Sequence, residues 1–407
     1  MRRHAALTAL CIALALLLAP AASARVARPS LPTAAAAIVV DGRSGEILLS
    51  KRADARRPIA STTKLMTALL TLESGKLSRT FTAPAYHASP IESKINLRRG
   101  ERMKVRDLLT ALLLESANDA AVDLAVGVSG SKQAFVDKMN ARARQLGLRN
   151  THYANPIGLD SPGNYSSAHD LSTLARKLMA NPTFAKVVDR PRATLRSGDH
   201  PRAIRNRNLL IGRYSFVDGV KTGHTLGARY VLVGAAHGHG ARIVSAVLGE
   251  PSEGARDADT LALLRWGIDQ YKRVTVLRPG HTVTRVGVAH YGDLKIRLTT
   301  RRSATFTLRR GERLTTRVHA PKELDGPIAA GRRVGSVAVL YLGHRVKTLG
   351  LVTTRAVPEA GLVKRITDDL GPPLTALALL LVVLGGVLAA LRLRATFSRR
   401  PKTVSSR

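Results

Sequence analysis

A chain of 407 residues is too long for one compact domain on the usual scale of about 100–200 residues each. Its 64 Lys and Arg against 28 Asp and Glu leave a formal net charge of +36, which attracts polyanions such as acidic lipid head groups, anionic wall polymers or nucleic acid. Composition excludes the last: aromatics are only 4%, the basic residues are spread along the chain, and no zinc-finger spacing or aromatic-interleaved RNA-binding signature is present.

Residues 1–24, MRRHAALTALCIALALLLAPAASA, have the form of an export signal. Arg2 and Arg3 open it, an apolar run follows, and Ala22-Ser23-Ala24 supplies the small residues for cleavage after Ala24. The only cysteine, Cys11, lies inside it, so the mature chain is expected to carry no disulfide and no thiol chemistry. A short Pro-containing lead, residues 25–33, precedes mixed α/β text. AAAIVVDGRSGEILLSKRA reads as strand, tight turn at Asp41-Gly42, and strand. From Ser61, apolar residues at Leu65, Ala68, Leu69 and Leu72 keep helical spacing until Gly75. VRDLLTALLLESANDAAVDLAVGV predicts two helices broken near Ser116, and SKQAFVDKMNARARQLGL a third, ended by Gly147. SSAHDLSTLARKLMANP predicts another, with Ser167 as cap and Asp170 three residues on. From Tyr230, YVLVGAA, the loop HGHGA and RIVSAVLGE predict a hairpin, followed by an amphipathic helix that carries the only tryptophan, Trp266.

After Lys272 the character changes to short strand-like runs separated by Gly and Pro turns, an all-β domain over 273–358 with no helix expected before Leu374. A linker is read over 359–373. LTALALLLVVLGGVLAAL, Leu374 to Leu391, has no charged residue and would make a helix about 27 Å long, close to the hydrocarbon thickness. Pro372 and Pro373 suit its start, and the basic tail 392–407, with Arg392, Arg394, Arg399, Arg400 and Lys402, favours a cytoplasmic end.

Three motifs could carry chemistry. Ser61 and Lys64 stand at i and i+3 on a helix, so the amine reaches the hydroxyl, and a lysine of lowered pKa can activate a serine. Ser116-Ala117-Asn118 is a polar insert between two apolar runs, and Lys221-Thr222-Gly223 enters the hairpin. Singly, each has a bland reading: an exposed Ser/Lys pair, a helix break with a cap, and a turn with a lysine. Together, S-x-x-K, S-x-N and K-T-G in this order are the signature set of penicillin-binding proteins and serine β-lactamases. His224, His237 and His239 lack metal-ligand spacing, so no metal or other cofactor is implied.

With its flanking text the chain resembles the low-molecular-mass penicillin-binding proteins, the serine-type D-alanyl-D-alanine carboxypeptidases. The likeness runs through residues 35 to about 270 and more loosely through 274–358. It implies an α/β catalytic domain over 25–272: an antiparallel sheet flanked by helices plus a helical subdomain, of the β-lactamase and transpeptidase kind. A small all-β domain and a single C-terminal transmembrane helix follow. It also implies a bacterial, membrane-held enzyme with its catalytic domain outside, acting on peptidoglycan stem peptides and acylated by β-lactam antibiotics. Ser61 would be the acyl-ester nucleophile, Lys64 its proton acceptor and Ser116 a proton relay. Asn118 would bind the substrate amide and help hold Lys64. Backbone N–H groups of Ser61 and His224 would form the oxyanion hole. Lys221, Thr222 and Arg256 would meet the substrate carboxylate, and Gly223 would let the peptide lie against the strand. The middle alanine of Ser116-Ala117-Asn118 matches the carboxypeptidases, whereas class A β-lactamases have Asp there; their Glu-x-x-Leu-Asn segment is also missing. A β-lactamase of this fold and a non-catalytic wall-binding protein are the alternatives.

Overall fold

The structure is a computed structural model that describes residues 27–397. The segment expected to be an export signal, residues 1–24, and residues 398–407 of the basic tail lie outside the described residues. The chain divides into two units, one of residues 1–273 with 307–311, the other of 274–306 with 312–407.

The first unit is built on five antiparallel strands: β1 (Ala36–Asp41), β2 (Ile47–Lys51), β3 (Val217–Thr225), β4 (Arg229–Gly238) and β5 (Ala241–Glu250), in the order β2-β1-β5-β4-β3. Every residue of β1 is buried, which explains its unbroken apolar run: each face of the sheet meets a core. Ile38 and Val40 point into one core and Ala37 and Val39 into the other. The larger core joins the sheet to α1 (Lys64–Glu73), α2 (Val105–Leu114), α3 (Asn118–Ser129), α4 (Lys132–Gln145) and α5 (Ala168–Met179), through Leu65, Leu109, Leu124, Phe135 and Leu171 among others. The smaller core seats α6 (Glu253–Asp269) on the opposite face through Leu263, Leu264 and Ile268.

Two expectations are corrected here. Strand structure begins at Val217, not Tyr230, because the glycine-bearing segment around Lys221 pairs fully with β4, Lys221 opposite Val233 and His224 opposite Tyr230. It forms the edge of the sheet. Ser167 caps α5 by accepting from the Asp170 backbone N–H, but the Asp170 carboxylate does not complete a capping box. It turns away to accept from the Asn150 N–H and the Thr151 hydroxyl, both at 2.7 Å.

The second unit holds a six-stranded sheet around Ile296, Leu298, Val337, Val339 and Leu351. In sheet order its strands are Leu314–His319, Arg333–Tyr341, His344–Thr353, Lys295–Thr300, Thr284–Val288 and Glu323–Leu324. The chain ends in α7 (Leu362–Phe397), interrupted at Gly371, where φ is 75° and ψ 158°. The expectation of no helix before Leu374 is therefore corrected: a helical segment from Leu362 precedes the apolar one, broken at Gly371 just ahead of Pro372 and Pro373.

Candidate active site

Ser61 sits on a 3-10 turn, Ala60–Thr63, that leads into α1. Ala60 has φ 48°, a left-handed conformation that a non-glycine residue adopts only under constraint from its surroundings. Two glycines make room for the turn. A Cβ on Gly158, where φ is +90°, would meet the Ala60 carbonyl oxygen at 2.1 Å. One on Gly223 would lie 3.0 Å from the Ile59 oxygen and 3.1 Å from the Ser61 nitrogen. Gly223 thus lets the edge strand β3 press against the serine turn, which is a role beyond the substrate clearance expected of it.

The head of α1 carries Lys64, whose side chain is fully buried. Its Nζ donates to Ser61 Oγ at 2.9 Å and to the Ile157 carbonyl at 2.5 Å. Burial drives the amine well below its usual pKa, and repulsion from Lys221 adds to this against the attraction of Glu92 and Asp119. The loop behind Ile157 is ordered by Asn155, whose side-chain oxygen accepts from the Ile157 and Gly158 N–H groups at 3.2 and 2.6 Å. Thr67 on α1 fastens it by donating to the Pro156 carbonyl at 2.7 Å.

Ser116 lies in the break between α2 and α3, with φ 64°. Its Oγ accepts from Lys221 Nζ at 3.0 Å, and the same amine donates to the Thr222 carbonyl at 3.0 Å. Lys221 is buried on β3, and burial with repulsion from Arg256 and Arg207 lowers its pKa to about 7. Two lysine–serine pairs, Lys64 with Ser61 and Lys221 with Ser116, are therefore brought together from a helix, a helix break and a sheet edge.

Asn118 is buried beside them but does not hold Lys64 as expected. Its amide donates to Glu92 at 2.6 Å, and Glu92 also accepts from the Tyr86 hydroxyl. The Ile157 carbonyl takes the holding role instead. Strand alternation turns Thr222 and His224 to the face opposite Lys221 and Gly223. There the exposed His224 ring stacks on Tyr230 with centroids 4.1 Å apart, and the Arg256 guanidinium lies 5.9 Å from the Tyr230 ring centroid. Arg256 is almost fully buried on α6 and pairs with Glu253 and Asp257, each at 2.8 Å. Sequence reasoning missed Ile157, Glu92, Tyr86 and Asp160; Asp160 accepts from Thr225 at 2.7 Å and the Gly227 N–H at 3.0 Å, tying the Asn155 loop to the end of β3. The Asn-Pro step at 155–156 was the one available signal for that loop.

A hydroxyl in contact with a buried, weakly basic amine, at the edge of an antiparallel sheet where a peptide could be added, defines a serine enzyme of acyl transfer. Comparison with known proteins narrows this. Residues 23–252 match the D-alanyl-D-alanine carboxypeptidase family, and residues 271–359 match the C-terminal domain of penicillin-binding protein 5. D-alanyl-D-alanine carboxypeptidase DacF of Bacillus subtilis is 31% identical over 347 residues, 83% of this chain and 89% of that protein. The solved structure of DacD from Francisella tularensis has a TM-score of 0.60 at 26% identity, covering 85% of this chain and 98% of that one. The Streptomyces K15 DD-transpeptidase has a TM-score of 0.57 at 33% identity, covering 60% of this chain and 100% of that one. The chain belongs to the D-alanyl-D-alanine carboxypeptidase family.

Proposed function

We propose that this protein removes the terminal D-alanine from peptidoglycan stem pentapeptides through an acyl-enzyme on Ser61, and that penicillins acylate the same serine. The observation that carries this is the 2.9 Å contact between Ser61 Oγ and the amine of fully buried Lys64. A neutral Lys64 takes the serine proton as Oγ bonds to the carbonyl carbon between the two D-alanines. The C–N bond then breaks, and the departing amine receives a proton relayed through Ser116, which Lys221 orients. Water attacks the resulting ester by the same route in reverse, releasing the shortened peptide and restoring Ser61. Ser61 and His224 N–H groups hold the oxyanion, each worth about 3–4 kcal/mol in such sites. The substrate lies along the open edge of β3, its amide on Asn118 and its terminal carboxylate across that edge, between Lys221 from one face and Thr222 from the other, with the ion-paired Arg256 adding positive charge behind Thr222. Residues 25–272 act as the catalytic domain and 273–358 as an accessory β domain. Residues 1–24 direct export, the apolar helix holds the enzyme in the bacterial membrane, and the basic tail stays inside.

Mass spectrometry after exposure to penicillin should place one adduct on the peptide holding Ser61, and the protein should release D-alanine from a pentapeptide. Ser61→Ala should lose both. An adduct elsewhere would overturn the assignment. A fluorescent penicillin that labels the wild type only transiently and is turned over rapidly would identify a β-lactamase instead.

A further inference from the structure

Outside the first unit, residues 274–306 and 312–358 carry fourteen Lys and Arg against four Asp and Glu. Four of those arginines, Arg301, Arg302, Arg332 and Arg333, converge on one cavity of about 700 Å³, completed by Thr348 and Gly350. Glycines make space for two of the guanidiniums. Arg301 donates to the Gly331 carbonyl at 2.6 Å, and a Cβ on Gly331 would come within 3.2 Å of its Nη2. A Cβ on Gly350 would come within 3.0 Å of Arg333 Nε. None of the four has a carboxylate partner among the described residues. Four like charges around one cavity repel one another unless an anion joins them, and the planar guanidinium fork matches phosphate oxygens two at a time.

We propose that this cavity in the β unit binds a phosphodiester-bearing polymer of the extracytoplasmic space. The number of guanidiniums argues against a single lipid head group: four converge on one cavity, whereas one phosphodiester head group carries a single negative charge, and a chain of repeated phosphates supplies several. A polymer that carries repeated phosphates would fill the cavity and dock the enzyme on the wall it trims, independently of the reaction at Ser61.

The full-length protein in neutral detergent is titrated with glycerol-phosphate oligomers, oligoglutamate of equal charge, and vesicles with or without phosphatidylglycerol. The oligomers should bind, and the double variants Arg301→Gln/Arg333→Gln and Arg302→Gln/Arg332→Gln should each weaken binding by about tenfold or more, about 1.4 kcal/mol per decade. Arg278→Gln/Arg285→Gln, which removes the same charge outside the cavity, should change it less than about twofold, and D-alanine release should be unaffected throughout. On the unaltered protein, the oligomers should shield Arg301, Arg302, Arg332 and Arg333, but not Arg278, from an arginine-specific reagent. Equal losses in all three pairs, or uniform shielding, would reduce the effect to diffuse charge and overturn the site. Equal affinity for oligoglutamate would overturn the phosphate preference, and vesicle binding that depends on the four arginines would overturn the polymer.

Discussion

Lys64 is a buried amine, and the role of proton acceptor proposed for it requires the neutral form. Its folded-state pKa lies below its ordinary value, so the neutral base is populated at lower pH than for a free lysine, and the rate should rise with pH through that depressed pKa. Part of the depression comes from Lys221. Removing that charge with Lys221→Gln should return the Lys64 pKa upward and move the rising limb to higher pH. The pH dependence of acylation by a fluorescent penicillin, in both proteins, measures this; a limb that stays put or moves towards acid would contradict the coupling. The same burial acts on stability. Between about 7 and the usual 10.5, the unfolded chain holds a proton that folded Lys221 has lost, so stability climbs with pH across that window. At this scale the sequence was informative wherever side chains make the site: the i, i+3 spacing of Ser61 and Lys64 is a geometric statement. It was silent on the Ile157 carbonyl, because a backbone acceptor has no residue type to betray it.

The elements that carry the site are held by buried carboxylates more than by regular structure. Asp119 accepts from the Ile95 and Leu97 N–H groups, and Glu101 accepts from those of Arg98 and Asp199. Glu101 also pairs with Arg202 at 2.8 Å, their side chains 0% and 7% exposed, and Arg202 donates to the Ile95 carbonyl at 2.8 Å. Together they shape the irregular stretch that delivers Glu92 to Asn118. Burial would raise the Glu101 pKa, but bonds from Arg202, Asp199 and Arg98 outweigh it and hold the carboxylate below its ordinary value. Glu101→Gln leaves Arg202 charged, buried and unpaired, which should cost about 3–5 kcal/mol. Denaturant unfolding measures it, and a loss under about 1 kcal/mol would mean that water replaces the pair. This layer was the least readable from sequence. The helices announced themselves by period and caps, as did the break at Ser116. The stretch before Arg102 has neither period nor punctuation, and β3 was hidden because Gly219 and Gly223 dilute its strand character, Gly223 for the close approach to Ser61 and Gly219 where a Cβ would meet Val188 at 2.8 Å.

At the scale of the whole molecule, the last helix is compatible with membrane anchoring. Within Pro373–Arg394, an 18-residue stretch has a mean hydropathy of 2.7 and is only 6% buried. Leu380, Leu381, Val382, Val383 and Leu384 are each more than half exposed. An exposed apolar surface of that extent marks an interaction face, and its length suits a bilayer. The sequence foretold the apolar run but not the helical segment ahead of it, since Gly371-Pro372-Pro373 reads as a stop; in the structure it is a break within one longer helix. That segment, from Leu362, mixes Val363 and Ile366 with Lys364, Arg365 and Asp368, a pattern suited to the membrane surface and not to its interior. Two modes of attachment are therefore separable. If the apolar helix spans the bilayer, the full chain should stay with membranes through an alkaline carbonate wash. A chain ended after Leu370 should bind weakly and be washed off, and one ended after Ala360 should be soluble and release D-alanine at the full-length rate. Release of the full chain by carbonate would show that the helix only lies on the surface, and membrane retention of the chain ended at Ala360 would move the anchor into the folded units.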